Sequence, residues 1–589
     1  MTKEKYDEEL EARGRRILEH VAPSASSLWN AHALMALGEG QERVAEIVRS
    51  RLAPSASMDG FKIVATGTFD VLAAMLLICR WGEALPESVD THIKEVMTRG
   101  IFHRGNTENH WLMHYTGTLL AVERWPEVEL GWNGLPSPAV RAEAMRSILG
   151  MMDRTARLGH HEYDSPQYHG CHVLSMTALA DHAQDPHLRA QAERMLTLYI
   201  ADMALEYFHG AWVGGHSREG YRQNTWTLVD MAAGLGYYYF GDVEFDPKVH
   251  TRDMVCPVIT AHFKPPALLS ELARDRTRPM VVKKTKAPRS INRHVTRKAE
   301  PVRKYSYISP SFALVSTQVG LPGAPAGPID LVSWDLSWVG PKHQAKVVCN
   351  HPYLSPGRFS AFLSELPQSI GRSVGEAHKP YLQNPDRLFG ASPYEQMIQH
   401  ESAIVVLYRI PPEDRAPYVN LYLPKGMVWV AQEGWILGDG GPFYVGIRPI
   451  GNYRWLEILE ETLIDGWLIR IEGSEVGLAL EAEEAEAVGT FEAFCEEMGR
   501  PRLDLSGWPE PGRVLFDTRR GHRLEITYDG PHRIDETETD YGTWPLYEAP
   551  GVEAALGTGR VAFHRGDERL ELDFGVDPKK PMLPMRVIG

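Results

Sequence analysis

Apolar residues recur at i, i+3, i+4 and i+7 through most of the first 275 positions, the spacing that turns one side of a helix toward a core. This periodicity predicts helices over residues 9–20, 41–51, 69–81, 108–125, 139–158, 166–183, 186–207 and 225–240. Two of the starts, Ser165-Pro166 and Asp185-Pro186, place a side-chain acceptor ahead of a proline whose fixed φ suits the first helical turn. Gly159, Gly210 and the stretch from Gly236 to Gly241 mark stops. Short connections between long helices favour antiparallel hairpins. With no repeat of fixed period, a closed toroid is expected rather than a repeat array.

From Tyr305 onward the period changes to two. Alternating runs over 311–319, 329–337, 402–408, 418–423, 427–431, 443–449, 467–472, 524–527, 560–564 and 569–574 predict strands. Asp439-Gly440-Gly441-Pro442 and Asp529-Gly530-Pro531 supply turn signals between them. Many short strands at this spacing imply an antiparallel β-sandwich, interrupted by one helix over 482–498. The expected fold class is therefore α+β and multidomain: an N-terminal (α/α) toroid of helical hairpins over 1–275, followed by a C-terminal antiparallel β-sandwich over 305–589. Residues 276–304, with Pro279, Pro288 and Pro301 and little periodicity, read as a basic linker.

A length of 589 residues exceeds what one hydrophobic core supports, in keeping with this division. The net charge of −15 argues against a dedicated nucleic-acid binder. Its distribution is uneven: residues 274–304 carry twelve Lys and Arg against Asp275 and Glu300. Five scattered cysteines without a C-x-x-C fit neither a disulfide framework nor a cysteine zinc site. No run approaches the roughly 18 apolar residues of a membrane span. The start lacks the apolar core of a secretion signal, so a cytoplasmic protein is expected, with export left open where a leader has been removed.

The candidate chemistry lies in three stretches of the helical half: Asn106–His114, His161–His169 and Gly214–Tyr221. Residues 101–220 hold 11 of the 24 histidines, a concentration that helix packing alone does not need. In the first stretch Asn109 and His110 splay about 100° apart on a helix, while His110 and His114 share a face with Glu108 and Trp111 nearby. An amide and an imidazole so placed can grip both oxygens of a carboxylate; the plainer reading is a cap at Asn106 with half-buried histidines. In the second, Tyr163 precedes a helix and Tyr168 stands in its first turn, where the positive field of a helix N-terminus favours a phenolate. The plainer reading there is aromatic packing. The third supplies His216, Arg218, Glu219, Tyr221 and Arg222 around glycines. Arg is the natural fork for a carboxylate or sulfate, against the alternative of a solvated charged loop.

Weaker candidates sit in the strand half. Trp334, Trp338, Trp429 and Trp435 could stack sugars but read first as sandwich core. His343, His351 and His400 lack the spacing of a metal site. No phosphate-binding glycine loop, dinucleotide fingerprint or nucleophile elbow is present.

On its helix-then-strand architecture, Asn109-His110, Tyr168 and the His216/Arg218/Tyr221 loop, the chain resembles the polysaccharide lyases built from an (α/α) toroid and a β-sandwich, the heparinase II/III-like and alginate lyase-like group. The resemblance implies cleavage of uronate-containing poly- or oligosaccharides by β-elimination. Asn109, His110, Tyr168 and His216 would then be catalytic: Asn109 and His110 neutralise the uronate carboxylate, Tyr168 is the acid/base, and His216 is a second base or substrate ligand. Glu108, Trp111, His114, Tyr163, Arg218, Glu219, Tyr221 and Arg222 would bind substrate. The expected partner is an anionic oligo- or polysaccharide, with no nucleic acid and no membrane. No cofactor is called for, although a structural metal in the β-domain is allowed. Two departures stand out, the lack of a clear metal-ligand set and of a secretion signal. The first alternative is an inverting glycoside hydrolase with its carboxylates drawn from Glu108, Glu162, Asp164 and Glu219. The second is a non-catalytic carbohydrate-binding protein.

Overall fold

The computed structural model describes residues 1–38, 40–52, 56–58, 61–63, 65–105, 107–129, 131–132, 134–162, 164–216, 230–287, 301–319, 332–339, 345–353, 384–388, 390, 392–458, 465–500 and 502–583. The chain divides into two compact units. The first comprises Met1–Trp212, Val229–Arg274 and Gly557–Gly589; the second comprises Val213–Leu228 and Asp275–Leu556.

The first unit is helical. Its helices are α1 (Lys3–Val21), α2 (Ala31–Ala36), α3 (Gln41–Arg51), α4 (Thr68–Trp81), α5 (Glu87–Arg99), α6 (Glu108–Arg124) and α7 (Ser137–Leu158). They continue with α8 (His169–His182), α9 (Pro186–Leu205), α10 (Met231–Tyr239), α11 (Pro247–His250), α12 (Cys256–Ile259) and α13 (Ala267–Arg274). Burial sorts the long ones into two kinds. Helices α6, α8 and α10 are buried almost all round, and α4 from Val71 to Ile78. Helices α5 and α7 bury one face, as an amphipathic pattern dictates. The fully buried helices pack on one another in the order α4, α6, α8, α10, and α5, α7 and α9 each pack beside the buried helix they adjoin in sequence.

The four buried helices begin side by side. Strands β3 (Ala65–Gly67) and β4 (Ile101–His103) pair in parallel and lead into α4 and α6, and the rings of Phe69 and His110 meet edge to face at 5.5 Å. At the next junction a Cβ on Gly170 of α8 would lie 1.9 Å from Met231 Cγ of α10, so only glycine allows this approach. Ala232 N–H also donates to the Pro166 carbonyl at 2.8 Å.

Two expected helix starts move. The helix predicted from 166 begins at His169, because Ser165 Oγ accepts the Tyr168 N–H and holds 166–168 as a turn. The one predicted from 225 begins at Met231, where the Asp230 side chain caps the Ala233 N–H. Asp185 caps α9 as its sequence implies, accepting from His187 and Leu188.

The second unit is an antiparallel, sandwich-like assembly. Its strands are β7 (Met280–Lys286), β8 (Val302–Ile308), β9 (Phe312–Val319), β10 (Trp334–Trp338), β11 (Lys346–Asn350), β12 (Glu395–His400), β13 (Ala403–Arg409) and β14 (Tyr418–Pro424). Then come β15 (Val428–Gln432), β16 (Trp435–Asp439), β17 (Phe443–Glu457), β18 (Gly466–Glu484), β24 (Tyr547–Ala549) and β25 (Val552–Ala554). They join in the order β15-β16-β17-β18-β14-β11-β10-β9-β8-β7-β24-β25, with β12 attached through β13 to β18. A separate small sheet spans Leu503–Gly507 to Thr537–Glu538. Alternate residues such as Leu314, Leu336, Val406 and Leu478 make the main core, and Trp334 lies fully inside it. Trp338 and Trp429 pack against that core and Trp435 belongs to a second cluster, so these tryptophans are packing residues rather than open platforms.

Three boundaries differ from expectation. The basic stretch 276–304 is not a linker throughout: β7 pairs with β8 from Met280↔Ile308 to Lys286↔Val302, a partner 16 or more residues away that local periodicity cannot reveal. Residues 557–583 group with the helical unit. Gly557 N–H donates to the Arg157 carbonyl, the Arg157 guanidinium reaches the Lys580 carbonyl, and Arg565 pairs with Glu271 at 2.9 Å. The helix expected over 482–498 is strand to Glu484, then two short helices, α14 (Ala485–Val488) and α15 (Phe491–Met498). Among the described residues no helix is long and apolar enough to cross a membrane.

Candidate active site

Two of the three polar stretches meet in the helical unit. Thr107 caps α6 by accepting the His110 N–H at 3.3 Å, the role expected of Asn106, which lies outside the described residues. This fixes the first turn so that Asn109 points inward. Asn109 is fully buried, and its amide Nδ2 lies 2.6 Å from both oxygens of Glu162 while its backbone N–H donates to Oε2 at 2.5 Å. In turn Glu162 N–H donates to Glu108 Oε2 at 2.8 Å, and His172 Nε2 stands 3.5 Å from the same oxygen. His172 Nδ1 contacts the Tyr168 carbonyl at 3.1 Å, which orients the ring from within α8. The tip of α6 and the tip of α8 are thus tied through two carboxylates, an amide and an imidazole.

Burial alone would raise the Glu108 carboxyl, but the hydrogen bond and charge of His172, with His161 and His160 beyond, bring it below the usual carboxylate range. Burial likewise opposes charge on His172, yet Glu108, and behind it Glu162, hold that imidazole above its ordinary value. Each group thus favours the charged form of the other.

More histidine surrounds it. The His160 ring centroid lies 5.2 Å from His172 and 5.5 Å from His169, and its Nδ1 is 4.0 Å from Asp202. Tyr199 stands edge-on to all three rings, and burial pushes its phenol far up, so it acts as packing and not as a phenolate. Asp164 closes the cluster from a left-handed backbone at φ 51°, strained for a non-glycine residue.

Beside this cluster a cavity of about 260 Å³ opens between α6 and α7, lined among others by Arg104, His114, Tyr115, Trp132 and Glu143. Arg104 lies over the Trp111 ring at 4.5 Å and donates to the Tyr115 hydroxyl at 2.8 Å, which donates to Glu143 at 2.7 Å. Trp111 itself is buried, its indole N–H on the Gly105 carbonyl at 3.1 Å.

The expected residues divide as follows. Glu108, Asn109, His110 and Tyr168 stand at the two helix tips; His110 is half-buried against Phe69, and Tyr168, partly exposed, is the residue just before α8. His114 lines the cavity. His216 belongs to the second unit, its backbone bridged to Val332 and its side chain buried. Tyr163, Arg218, Glu219, Tyr221 and Arg222 lie outside the described residues. The Asn109 amide is held by Glu162.

Sequence reasoning missed Arg104, Tyr115, Trp132 and Glu143. Arg104 stands directly before the first polar stretch and was within reach; Glu143 is an ordinary polar position on an amphipathic helix, with no local signal.

Among the described residues three groups hold donors close enough for a metal ion: Glu108/Glu162/His172, His160/Asp164/Asp202 and, in the second unit, His400/Glu401/His522, each with atoms within 4.8 Å of one another. The last corresponds to the structural metal allowed for the β-domain, and it fits poorly. Glu401 is paired with Arg520 at 3.0 Å and His522 with Asp535 at 2.7 Å. His351 is committed to Ser392 and the Ala416 carbonyl, and His343 lies outside the described residues. Comparison with known families finds no family model that matches the chain, and no curated protein matches it.

Proposed function

We propose that the protein is a carbohydrate-active lyase that cleaves uronate-containing poly- or oligosaccharides by β-elimination, with its helical unit forming an (α/α) toroid. The observation that carries the reading is the meeting of the α6 and α8 tips, where Asn109, Glu108, Glu162 and His172 form one polar cluster that contacts the Tyr168 carbonyl. Two further features support it. Four buried helices begin together, and their N-terminal partial charges favour an anion at that end. The alternation of buried with one-sided helices suits a toroid of hairpins.

The chemistry follows from the substrate. The C5 proton of a uronate is weakly acidic because the adjacent carboxylate already carries charge. Donors on that carboxylate let it accept the enolate charge as C5–H breaks. In this reading Asn109 and His110 supply those donors, a uronate carboxylate exchanging with Glu162 at the amide. Tyr168 as phenolate takes the C5 proton, the C4–O4 bond breaks as the C4–C5 double bond forms, and the phenol returns its proton to O4. Wild-type protein given a panel of uronate polymers should produce ultraviolet-absorbing unsaturated ends, and Tyr168→Phe should produce none. A fully active Tyr168→Phe enzyme refutes the assignment.

One observation bears on hydrolysis instead. Glu108 and Glu162 bring carboxylate oxygens within 4.8 Å, closer than the roughly 6.5–9.5 Å that an inverting pair needs for its water. A hydrolase using this pair would be a retaining one. A binding protein without activity would grip uronates and never form product.

A further inference from the structure

The cavity between α6 and α7 is not used by the elimination chemistry above, and its lining is that of a ligand site. One side is cationic: Arg104 carries a planar fork of five N–H donors, of which Nη1 serves Tyr115, and its guanidinium carbon lies 4.5 Å from the Trp111 ring centroid. The lining also offers an acceptor, Glu143, to which Tyr115 donates; burial and that hydrogen bond hold the Tyr115 phenol above its ordinary value, so it stays a neutral donor. Between them Phe102, Trp132, Leu135 and Val140 supply apolar surface.

Trp132 adds an independent pointer. It is 2% exposed and its indole N–H is buried with no acceptor among the described residues. A buried donor left unmade costs about 1–3 kcal/mol, so native structures rarely keep one without a partner to come. The chain also holds Trp132 at φ 44°, a left-handed conformation that a bulky residue adopts only under constraint. Trp132 also lines the cavity.

From these contacts we propose that the cavity is a binding subsite for a single uronate ring, its carboxylate on Arg104, a ring or hydroxyl oxygen on the Trp132 N–H, and a hydroxyl donating to Glu143. The choice of a uronate rests on the elimination reading; the cation, the acceptor and the indole donor stand without it. At about 260 Å³ the cavity falls just below the ~300–1,000 Å³ typical of sites for drug-sized ligands, which suits one sugar ring and not a chain segment. His114, one helical turn beyond His110, lines the same cavity, so the subsite adjoins the α6 tip. A substrate held here would present its linkage from a terminal ring.

The test is titration of the full-length protein with glucuronate, galacturonate, mannuronate and, as the uncharged control, glucose, followed by tryptophan fluorescence and melting temperature. At least one uronate should bind saturably and raise the melting temperature, with glucose at least tenfold weaker. Arg104→Gln should weaken uronate binding about tenfold or more, the worth of a charge-assisted fork. Trp132→Phe, which keeps an aromatic ring but removes the N–H, should weaken it several-fold, and Glu143→Gln provides a second polar variant should either of these fail to fold. Absence of uronate binding, equal binding of glucose, or unaltered binding by Arg104→Gln overturns the proposal. The outcomes separate from those for elimination. Product formation with unchanged KM in Arg104→Gln removes the subsite and leaves the lyase, whereas uronate binding with no product from any substrate keeps the subsite and removes the lyase.

Discussion

Asn109→Ala is the most discriminating perturbation of the helix-tip cluster, because it removes the amide that holds Glu162. In the structure Nδ2 lies 2.6 Å from each Glu162 oxygen and 3.0 Å from Thr107 Oγ1. A hydrogen bond to a charged group contributes about 1.5–3 kcal/mol and a neutral one about 1 kcal/mol. The backbone N–H of residue 109 still donates to Glu162 in the variant, so the carboxylate keeps that partner. The net loss is therefore about 3 kcal/mol. Urea unfolding followed by far-ultraviolet circular dichroism at the helical signal measures it, as a shift of that transition to lower denaturant. A loss below about 0.5 kcal/mol, the range of an uncommitted surface side chain, would show that the Asn109–Glu162 pairing does not hold the two tips together.

Glu108 is held below its ordinary 4.5, so its stabilisation is present above that value and lost as pH falls through the folded pKa; His172 is raised above 6.5, so its share is present below 6.5 and lost as pH rises through the folded pKa. The stability gap between wild type and His172→Gln should therefore be widest between about pH 4.5 and 6.5 and narrow on either side; a gap independent of pH contradicts the ion pair. Asp181→Asn should cost about 3–5 kcal/mol in thermal melts, because Arg80 is left charged and buried at 2.5 Å from its lost partner, and a neutral result would mean that Arg80 finds another anion. Gly170→Ala should destabilise by about 1–3 kcal/mol, since its methyl would overlap the Cγ of buried Met231; an unchanged melting temperature would contradict the close approach of α8 and α10. Pro186→Ala should be nearly neutral, because Asp185 still caps His187 and Leu188, whereas Asp185→Ala should cost about 1 kcal/mol, and the two losses being equal would refute the cap.

Local rules carried much of the fold. The helix read over 41–51 is α3 with the same ends, and the Asp185 cap was legible because capping needs only the next three residues. Where the reading slipped, a non-local contact decided. The helix at 166 starts late because Ser165 and the left-handed Asp164 make a turn that serves the histidine cluster. The strand at 280–286 exists because β8 pairs with it, and the strand through 482–484 because β17 does. The same division holds for the candidate site. Asn109, His110 and Tyr168 announced themselves by residue type, but that Asn109 would face Glu162, 53 positions on, is a property of the packed helices. Glu143 and Trp132 carry no local signal, because their meaning comes only from the cavity they share with Arg104.

The most direct test of elimination weighs the products. A uronate oligosaccharide cut by the wild-type enzyme in oxygen-labelled water should give two fragments whose masses sum to that of the starting sugar, one of them unsaturated and neither carrying label. Fragments whose masses sum to one water more, with label in the newly freed end, would mean hydrolysis and contradict the account.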